Sequence, residues 1–372
     1  QSSKSRALSA NTSTGDIIAS DAQINQLNLQ YVHSQGYRGQ GKMITIIDDG
    51  FENVNTIPAF QSARERIVGT RNFIDNTSVY SAGSHGTMCF STIAAQSDIY
   101  YGTATQSLYY LIKTEEDDYE NMREVDALVS AMELADSVGT DVVSVSLGYL
   151  DLFDTNDMHI YYSQLDGRTV RSSIAANIAA KKGMVVCVAQ GNEGNVEWYY
   201  LDSPADADSI LAVGSVNSEG EVSYFSSHGP TFDDRIKPDV CALGYHSAII
   251  NPDGEVSYGS GTSFSTPIIA GMVASLWSAL PHLSNIQLMD EIRRLSSNAN
   301  NPNNRMGYGI PDAYRVYEQN KATKEKSHII PTDAEIISRY DLLGRPIREG
   351  YKGISIIHTN KGNYVSVLHP SN

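Results

Sequence analysis

The sequence is poor in cysteine, in basic residues and in long apolar runs, and each shortage excludes a class of protein. Three cysteines in 372 residues allow at most one disulfide, and no CxxC pair or Cys/His cluster indicates a zinc site. The 27 basic against 43 acidic residues give a formal charge of −16, which would repel nucleic acid and anionic lipid headgroups. The longest nearly apolar stretch, residues 267–280, is too short to span a bilayer. Neither a nucleic-acid partner nor a transmembrane segment is therefore expected.

The residues that are present are typical of a globular protein, with 41% apolar and 19% charged. At about 100–200 residues per domain, the length predicts one large domain and a smaller one. Residues 1–23 are rich in Ser, Ala, Thr and Asn and are predicted to form a loose N-terminal arm. The chain begins with Gln1 rather than Met, so we expect that a secretory signal has been removed. The expected location is secreted, cell-surface or periplasmic.

Residues 24–320 alternate apolar runs with amphipathic stretches, a pattern typical of a parallel α/β sheet. In residues 122–138 the apolar side chains fall on one helical face, and Gly139 ends the pattern. The strand-like runs are apolar on both sides, which predicts an α/β fold with a mostly parallel central sheet and helices on both faces. Cys187 and Cys241 lie in two of these runs and are predicted to be buried thiols. Strands are predicted over residues 43–47, 107–113, 142–146, 184–189, 210–213 and 240–243.

The composition changes after this large domain. Residues 318–327 are polar and charged, and they are predicted to be a linker. Residues 328–372 are predicted to form a small C-terminal β module. Its strands are predicted over residues 335–340, 353–358 and 363–368.

Three separate segments contain the residue types needed for nucleophilic acyl transfer. Asp48 follows the run 43–47, and open α/β sheets place functional groups at the carboxyl ends of strands. His85 precedes a stretch that looks helical, and Ser263 lies in a glycine-bounded turn that opens an apolar helix. Pro267 is predicted to lie in the first turn of that helix. Each segment alone is usually a turn or a loop, but the chain order Asp…His…Ser matches one of the known orders of a serine triad.

Six short segments occur in order along the chain: Ile47-Asp48-Asp49-Gly50, His85-Gly86-Thr87, Ser146-Leu147-Gly148, Gly191-Asn192-Glu193-Gly194, Phe225-Ser226-Ser227-His228-Gly229-Pro230 and Gly261-Thr262-Ser263. With these segments, the chain resembles the subtilisin-like serine peptidases, or subtilases, over about residues 24–317. The resemblance implies a subtilisin-like fold and peptide or protein substrates. No cofactor is expected.

The resemblance also implies a role for each of four residues in a reaction that passes through an acyl-enzyme. Ser263 would be the nucleophile, and His85 would act first as general base and then as general acid, because a serine hydroxyl is a poor nucleophile until a base takes its proton. Asp48 would orient His85 and stabilise its imidazolium form. Asn192 would stabilise the oxyanion together with the backbone N–H of Ser263. Outside this context, Asn192 would be interpreted as a turn residue.

Substrate-binding residues are implied in the same way. The segment Ser146-Leu147-Gly148 resembles the edge with which the family pairs the substrate backbone through main-chain hydrogen bonds. Asp49 is similar to its counterpart in the kexin branch, and this resemblance implies a preference for Lys or Arg at the substrate position P2. P2 lies one residue before P1, the residue that directly precedes the scissile bond. Glu193 would add a similar bias at P1. The alternative for Asp49 is a hydrogen bond to the backbone of its own turn.

The sequence departs from the family pattern at several positions. Phe264 stands where many members have Met, which removes an oxidisable sulfur. Cys89, one helical turn after the candidate histidine, is placed like the thiol of the proteinase K branch, and structural packing is its default role. Ile57 stands where subtilisins commonly have a calcium-binding carboxylate, so calcium is not supported and no metal site is predicted. The acidic runs 115–120 and 151–157 could bind calcium, but a solvated charged face is the favoured interpretation.

Three functions compete. A secreted serine endopeptidase is favoured, and a catalytically silent binding protein on the same scaffold is the alternative, although a binding protein has no need of all four candidate catalytic residues. An esterase of the α/β-hydrolase type is disfavoured because its Gly-x-Ser-x-Gly elbow is missing and its triad order differs. In the tail, residues 340–346 and 353–357 weakly resemble the C-terminal sorting module of proteins exported by the type IX system. A β appendage that packs on the peptidase is the alternative there.

Overall fold

The computed structural model describes residues 18–116, 121–150, 159–321, 335–341, 344–348, 354–360 and 362–367. The chain divides into two compact units, Gln1–Asn320 and Lys321–Asn372. The strands of the first unit are β1 Met43–Asp48, β2 Ile67–Asn72, β3 Gln96–Ser97, β4 Tyr100–Tyr101, β5 Leu108–Lys113, β6 Val142–Val145, β7 Val185–Ala189, β8 Leu211–Val216, β9 Val240–Leu243, β10 Ser247–Ile250 and β11 Val256–Gly259. Its helices are α1 Asp21–Gln26, α2 Leu29–Ser34, α3 Gln61–Arg64, α4 Ser84–Ala94, α5 Met122–Val138, α6 Arg171–Lys181, α7 Thr262–Ala279, α8 Asn285–Arg294 and α9 Ala313–Asn320.

A seven-stranded sheet in the order β2-β5-β1-β6-β7-β8-β9 forms the centre of the first unit. All six neighbouring pairs in this sheet are parallel. Strand β1 therefore lies inside the sheet, between β5 and β6, and its carboxyl end is flanked by the ends of both neighbours. The remaining strands of the unit form two small antiparallel pairs, β3 with β4 and β10 with β11. The predicted α/β class with a mostly parallel central sheet is confirmed.

Helices cover both faces of the sheet, because alternate strand residues enter two separate apolar clusters. In β7, Val185 and Cys187 belong to the cluster that contains the buried residues of α7. Val186 and Val188 belong to the other cluster, which contains the buried residues of α5 and α6. The near-continuous apolar character of the strands, from which the fold was predicted, follows from this two-sided burial.

Most predicted elements coincide with observed ones. The six predicted strands correspond to β1, β5, β6, β7, β8 and β9 to within three residues, and the predicted helix over 122–138 corresponds to α5. Strand β2 was not predicted because it pairs only with β5 at the sheet edge, and none of its residues is fully buried. Cys187 and Cys241 are buried free thiols, as predicted. Among the described residues, no helix is long and apolar enough to cross a membrane.

Two segments that were predicted to be irregular are partly helical. Residues 21–23 of the predicted arm open α1, where the side chain of Gln23 accepts a hydrogen bond from the backbone of Ala248 (3.0 Å). Residues 318–320 of the predicted linker close α9, where Glu318 accepts a hydrogen bond from Tyr31 of α2 (2.9 Å). These contacts join residues far apart in sequence, so local composition could not reveal them. Residues 1–17 and 322–327 of the two predicted segments lie outside the described part of the chain.

The described strands of the second unit form an antiparallel sheet in the order β12-β13-β14. Each lies within one residue of its predicted position. At the end of β12, Arg345 pairs with Asp341 (2.6 Å). Residues 342–343 and 353, in the segments that resemble a sorting module, lie outside the described residues. The three strands are β12 Ile336–Asp341, β13 Ile354–Thr359 and β14 Gly362–Val367.

A buried ionic network joins β8, β9 and α8. Asp239, just before β9, accepts hydrogen bonds from Lys237 Nζ (2.8 Å), Arg293 Nε (2.9 Å) and the backbone N–H of Ala212 (2.8 Å). Burial would raise the pKa of Asp239, but the positive charges of Lys237 and Arg293 outweigh it and lower the pKa. Asp239 therefore remains a charged carboxylate in the interior, where an unpaired charge would be costly.

We expect Asp239→Asn to lower the free energy of unfolding by about 3–5 kcal/mol, because it leaves two buried cations without their shared anion. Denaturation followed by circular dichroism would measure the change. Asp290→Asn is the matched control, since Asp290 also pairs with Arg293 (3.2 Å) but is 66% exposed. The control should change stability by less than about 1 kcal/mol. Equal, small effects of the two substitutions would contradict the importance of the buried network.

Candidate active site

Five chain segments meet at the carboxyl edge of the sheet. Asp48 ends β1, the segment Ser146-Leu147-Gly148 follows β6, and the segment Gly191-Asn192-Glu193 lies beyond the end of β7. The amino ends of α4 and α7 bring His85 and Ser263 to the same place. Parallel strands all end at one edge of their sheet, so residues that are far apart in sequence converge there.

Asp48 and His85 form a close hydrogen-bonded pair. Asp48 Oδ1 lies 2.7 Å from His85 Nδ1, and the same oxygen accepts the backbone N–H of Asp49 (2.9 Å). Asp48 is fully buried, whereas the side chain of His85 is 32% exposed. With Nδ1 bonded to the carboxylate, the proton on the ring is held at Nδ1, and Nε2 is the nitrogen that can accept another one.

Cys89 lies against this pair from the next turn of α4. Its Sγ is 3.7 Å from Nδ1 and 3.9 Å from Nε2 of His85, and it donates to the carbonyl of Ser263 (3.2 Å). Burial raises the pKa of the Cys89 thiol to about 11, so the thiol is neutral near pH 7. Burial would lower the pKa of His85, but its buried neighbours outweigh this effect and raise the pKa. Because the thiol is uncharged, Asp48 is the neighbour whose charge supports the imidazolium.

A metal site at this cluster also has to be considered, because the potential ligand atoms of Asp48, His85 and Cys89 lie within 4.8 Å of one another. A thiol must lose its proton to bind a metal strongly, and the raised pKa of Cys89 opposes this. The contacts described above already use the ligand atoms of all three side chains. The group therefore fits a hydrogen-bonded cluster better than a metal centre.

Ser263 is the second residue of α7 and is 9% exposed. Its Oγ donates to the carbonyl of Ser146 (3.3 Å), and no hydrogen bond joins it to His85, although both residues are described. In enzymes without substrate, such catalytic hydrogen bonds are often long and tighten only in the complex. Ser146 returns a second bond, from its own Oγ to the carbonyl of Ser263 (2.9 Å). Ser263 is thus held by the segment that follows β6.

Pro267 lies deeper in α7 than predicted: it is the sixth residue of the helix, beyond the first turn. Proline has no backbone N–H. The carbonyl of Ser263, four residues earlier, therefore lacks the N–H donor that it would otherwise have in the helix. This carbonyl instead accepts the hydroxyl of Ser146 and the thiol of Cys89. The proline therefore frees the carbonyl that connects α7 to two neighbouring segments of the site.

Asn192 is oriented by the start of α7. Its Oδ1 accepts hydrogen bonds from the backbone N–H (2.9 Å) and the hydroxyl (3.1 Å) of Thr262. The amide nitrogen Nδ2 is the remaining donor of an exposed side chain. The backbone N–H of Ser263 lies in the first turn of α7, where N–H groups have no acceptor within the helix. Asn192 Nδ2 and the backbone N–H of Ser263 are therefore two donor groups close to the start of α7.

Asp49 faces the amino end of α4. Its carboxylate accepts the backbone N–H groups of His85 (3.3 Å) and Gly86 (2.8 Å), which belong to α4 and not to the turn of Asp49 itself. Burial, and then the charge of Asp48, raise the pKa of Asp49 to about 6. Sequence reasoning missed Lys113, which ends β5 and donates from Nζ to the carbonyl of Asp49. The available signal was its position at the end of a predicted strand.

A cleft of about 690 Å³ opens beside His85. The segment Ser146-Leu147-Gly148 forms part of its wall. The backbone N–H and carbonyl groups of Leu147 and Gly148 make no backbone hydrogen bonds within the described part of the chain. Glu193 does not line this cleft. It folds back so that Oε2 accepts the backbone N–H of Asn192 (2.5 Å) and the hydroxyl of Ser227 (3.0 Å). Four carboxylates line the cleft: Asp49, Glu52, Glu115 and Glu116.

The acidic runs considered as calcium ligands are only partly described. Residues 117–120 and 151–157 lie outside the described part of the chain. Of the remainder, Glu116 pairs with Arg123 (2.5 Å), and Glu115 accepts the hydroxyl of Tyr149 (2.8 Å). In the described residues these carboxylates therefore serve contacts within the chain.

Residues 39–309 match the model of the subtilase family, Peptidase_S8. Subtilisin E of Bacillus subtilis (strain 168) is 30% identical over 293 residues, which cover 77% of this chain and 68% of that protein. Subtilisin of Bacillus pumilus is 30% identical over 276 residues, which cover 72% of this chain and 88% of that protein. The structure of the MycP3 protease from the type VII (ESX-3) secretion system shares the fold, with a TM-score of 0.65 at 21% identity over 83% of this chain and 90% of that one.

These matches cover the whole parallel sheet and every segment of the site described above. The chain belongs to the subtilase family, and it is a subtilisin-like serine endopeptidase. The family predicted from the six sequence segments is confirmed.

Asp49→Asn should shift the acid limb of the pH profile of kcat/KM to lower pH by about 0.5–1 unit. Above pH 6 the charged Asp49 favours the imidazolium of His85 and raises its pKa, so removing that charge lowers the pKa of His85. The asparagine oxygen can still accept an N–H from α4. The exposed Asp98→Asn serves as the control and should leave the profile unchanged. An acid limb that stays in place in Asp49→Asn would show that the two side chains are not coupled.

Proposed function

We propose that Asp48, His85 and Ser263 form the catalytic triad of this endopeptidase. The observation that carries the proposal is the 2.7 Å hydrogen bond between buried Asp48 and His85 Nδ1, because it fixes the ring tautomer that a general base requires. Ser263, at the start of α7, is the hydroxyl brought to this pair, and Cys89 contacts both His85 and Ser263.

In the proposed reaction, Ser263 Oγ attacks the carbonyl carbon of the scissile peptide bond, and its proton passes to His85 Nε2. Asp48 stabilises the resulting imidazolium. As the C–N bond breaks, the imidazolium gives its proton to the leaving amine, which leaves an acyl-enzyme on Ser263. A water molecule then attacks the ester carbon and gives a proton to His85. As the bond between that carbon and Ser263 Oγ breaks, the imidazolium returns the proton to Oγ and the carboxylic acid product leaves. All steps use side chains and backbone groups of this chain.

We further propose that the oxyanion is stabilised by Asn192 Nδ2 and the backbone N–H of Ser263. Thr262 supports this role, because its two hydrogen bonds to Asn192 Oδ1 turn the amide so that the nitrogen remains as donor. Donors that are oriented before the reaction stabilise charge as it develops without a reorganisation cost.

The substrate backbone is proposed to pair with the segment Ser146-Leu147-Gly148. The main-chain groups of Leu147 and Gly148 are available for an added strand, and main-chain pairing makes little demand on the substrate sequence. The same segment holds Ser263 through Ser146, so a bound peptide would lie beside the nucleophile. Protein or peptide substrates are therefore the expected partners.

A catalytically silent binding protein is the alternative, and the complete set of side chains counts against it. We also propose that the enzyme acts outside the cytoplasm, as a secreted, cell-surface or periplasmic protein, and that its tail from about Glu335 is part of a sorting module of the type IX kind. A β appendage of the peptidase is the alternative for this tail. The three-stranded sheet of β12, β13 and β14 supports a β module in this region.

A fluorophosphonate probe should label the wild-type protein at Ser263, since such probes react with an activated serine whatever the substrate. Ser263→Ala should abolish labelling and lower kcat for a peptide substrate by roughly 10⁵–10⁶-fold without loss of the native circular dichroism spectrum. Peptide hydrolysis at the parental rate in Ser263→Ala would remove this residue from the mechanism. A wild-type protein that is folded but never labelled would favour the silent binding protein.

Asn192→Ala should lower kcat by about 10²–10³-fold and leave KM nearly unchanged, because the lost donor acts mainly on charge that develops in the transition state. Steady-state kinetics on one peptide substrate would separate the two constants. Asn195→Ala, an exposed residue of the same loop, is the control and should change neither. A change confined to KM would assign Asn192 to substrate binding.

A further inference from the structure

A buried carboxylate lies between two glycines of the site. Asp202 is 4% exposed. A Cβ atom added to Gly148 would lie 2.9 Å from Asp202 Oδ2, and one added to Gly191 would overlap the same oxygen. Gly148 belongs to the segment proposed to bind the substrate backbone, and Gly191 directly precedes Asn192. The carboxylate therefore lies against the backbone of both segments.

The backbone around Asp202 is fastened to both segments. Its N–H donates to the carbonyl of Gln190 (3.2 Å), the residue before Gly191. The next residue, Ser203, exchanges two hydrogen bonds with Tyr149, the residue after Gly148 (2.8 and 3.1 Å). Asp202 is thus held by backbone bonds at the same two places that its carboxylate contacts. These bonds fix the backbone of Asp202 between the two segments.

A second carboxylate reaches the same glycine. Glu193 Oε2 would lie 2.7 Å from a Cβ added to Gly191, and it is held there by the backbone N–H of Asn192 and the hydroxyl of Ser227. Asp202 and Glu193 therefore both bring a carboxylate oxygen close to Gly191. Two carboxylates so close together favour a cation in their vicinity.

The position of the scissile bond decides which part of a substrate would meet these groups. If Ser263 attacks a carbonyl whose oxygen lies near Asn192, and the substrate backbone follows the segment 146–148, the side chain on the acyl side of that bond points between Gly148 and Gly191. This side chain is the P1 residue, on the amino side of the scissile bond. We propose that Asp202, assisted by Glu193, forms the floor of the P1 pocket and selects substrates with Arg or Lys at P1.

Chemistry and size support basic P1 residues. Arg and Lys are long enough to bring a positive charge to the base of a pocket while their carbon chains line its walls. A guanidinium can bind a carboxylate through two parallel hydrogen bonds, which makes Arg the favoured partner. A side chain at Gly148 or Gly191 would collide with the carboxylate of Asp202, so glycine at both positions is what lets the carboxylate lie against the two segments. Acidic P1 residues would be repelled.

This inference rests on the proposed function, because it places the P1 residue by the attack of Ser263. The first experiment compares kcat/KM of the full-length enzyme for fluorogenic peptides that differ only at P1, with Arg, Lys, Leu, Phe or Glu. We expect the Arg and Lys peptides to be cleaved at least tenfold more efficiently than the Leu and Phe peptides, and the Glu peptide least of all.

Asp202→Asn keeps the shape of the side chain and removes its charge. We expect it to lower kcat/KM for the Arg and Lys peptides by about 10–100-fold while the Leu peptide changes less than about threefold. Asp208→Asn, at an exposed position in the same segment, is the matched control and should retain the wild-type profile. An unchanged profile in a folded Asp202→Asn enzyme would overturn the assignment of the pocket floor.

Inhibition of the wild-type enzyme tests the pocket without any substitution that could impair folding. Benzamidine, an aromatic amidinium ion, should compete with the substrate at least tenfold more strongly than neutral benzamide of nearly the same shape. Equal inhibition by the two compounds, or a preference for Leu or Phe at P1, would overturn the inference. If the fluorophosphonate probe still labels Ser263 in that case, only the P1 specificity fails, whereas loss of labelling would mean that the proposed function itself fails.

Discussion

The buried hydrogen bond between Asp48 and His85 is the interaction on which the site depends. A carboxylate with no solvent exposure needs hydrogen-bond donors, and here the imidazole and one backbone N–H both donate to Oδ1. Oδ2 is buried and has no hydrogen-bond partner among the described residues. The bond also requires that α4 approach β1 very closely. Gly86 makes this possible, because a Cβ at this position would overlap the carbonyl of Gly50 and lie 2.9 Å from Asp48 Cβ. The histidine is therefore followed by a glycine for a steric reason.

The other half of the site depends on a single carbonyl group. Pro267 leaves the Ser263 carbonyl outside the helical hydrogen-bond pattern, and the hydroxyl of Ser146 and the thiol of Cys89 occupy it. Helix α7 is thereby connected to the end of β6 and to α4, which holds His85. Because Pro267 has no N–H, the Ser263 carbonyl can accept the thiol of Cys89, and this bond connects α7, which carries the candidate nucleophile, to α4, which carries the candidate base.

The departures from the family pattern acquire physical explanations in the folded chain. Phe264 packs with Cys89 and Ile249, and its ring centroid lies 6.0 Å from that of His85. A larger ring in place of a flexible side chain needs space, which Gly259 provides, since a Cβ there would lie 2.5 Å from the ring. The carboxylate of Asp49 accepts two backbone N–H groups at the amino end of α4, and the same residue lines the cleft, so its implied contact with the substrate stays a prediction. Asp202 is the acidic group that we propose for recognition of the P1 side chain.

The sequence by itself determined the sheet, because two-sided burial leaves apolar runs that are visible locally. It also predicted Asp48, His85, Asn192 and Ser263 as site residues, because each lies in a short motif with a fixed spacing. Edge strand β2 escaped prediction since it buries too little to leave such a run. Only the tertiary structure decided where the acidic groups point. Asp202 belongs to no motif. Its backbone is positioned by its hydrogen bond to Gln190 and by the two hydrogen bonds between Ser203 and Tyr149, which are residues of two other segments. The local pattern of apolar residues indicates which side chains are buried. Which side chains meet at the edge of the sheet depends instead on the order in which the strands pair.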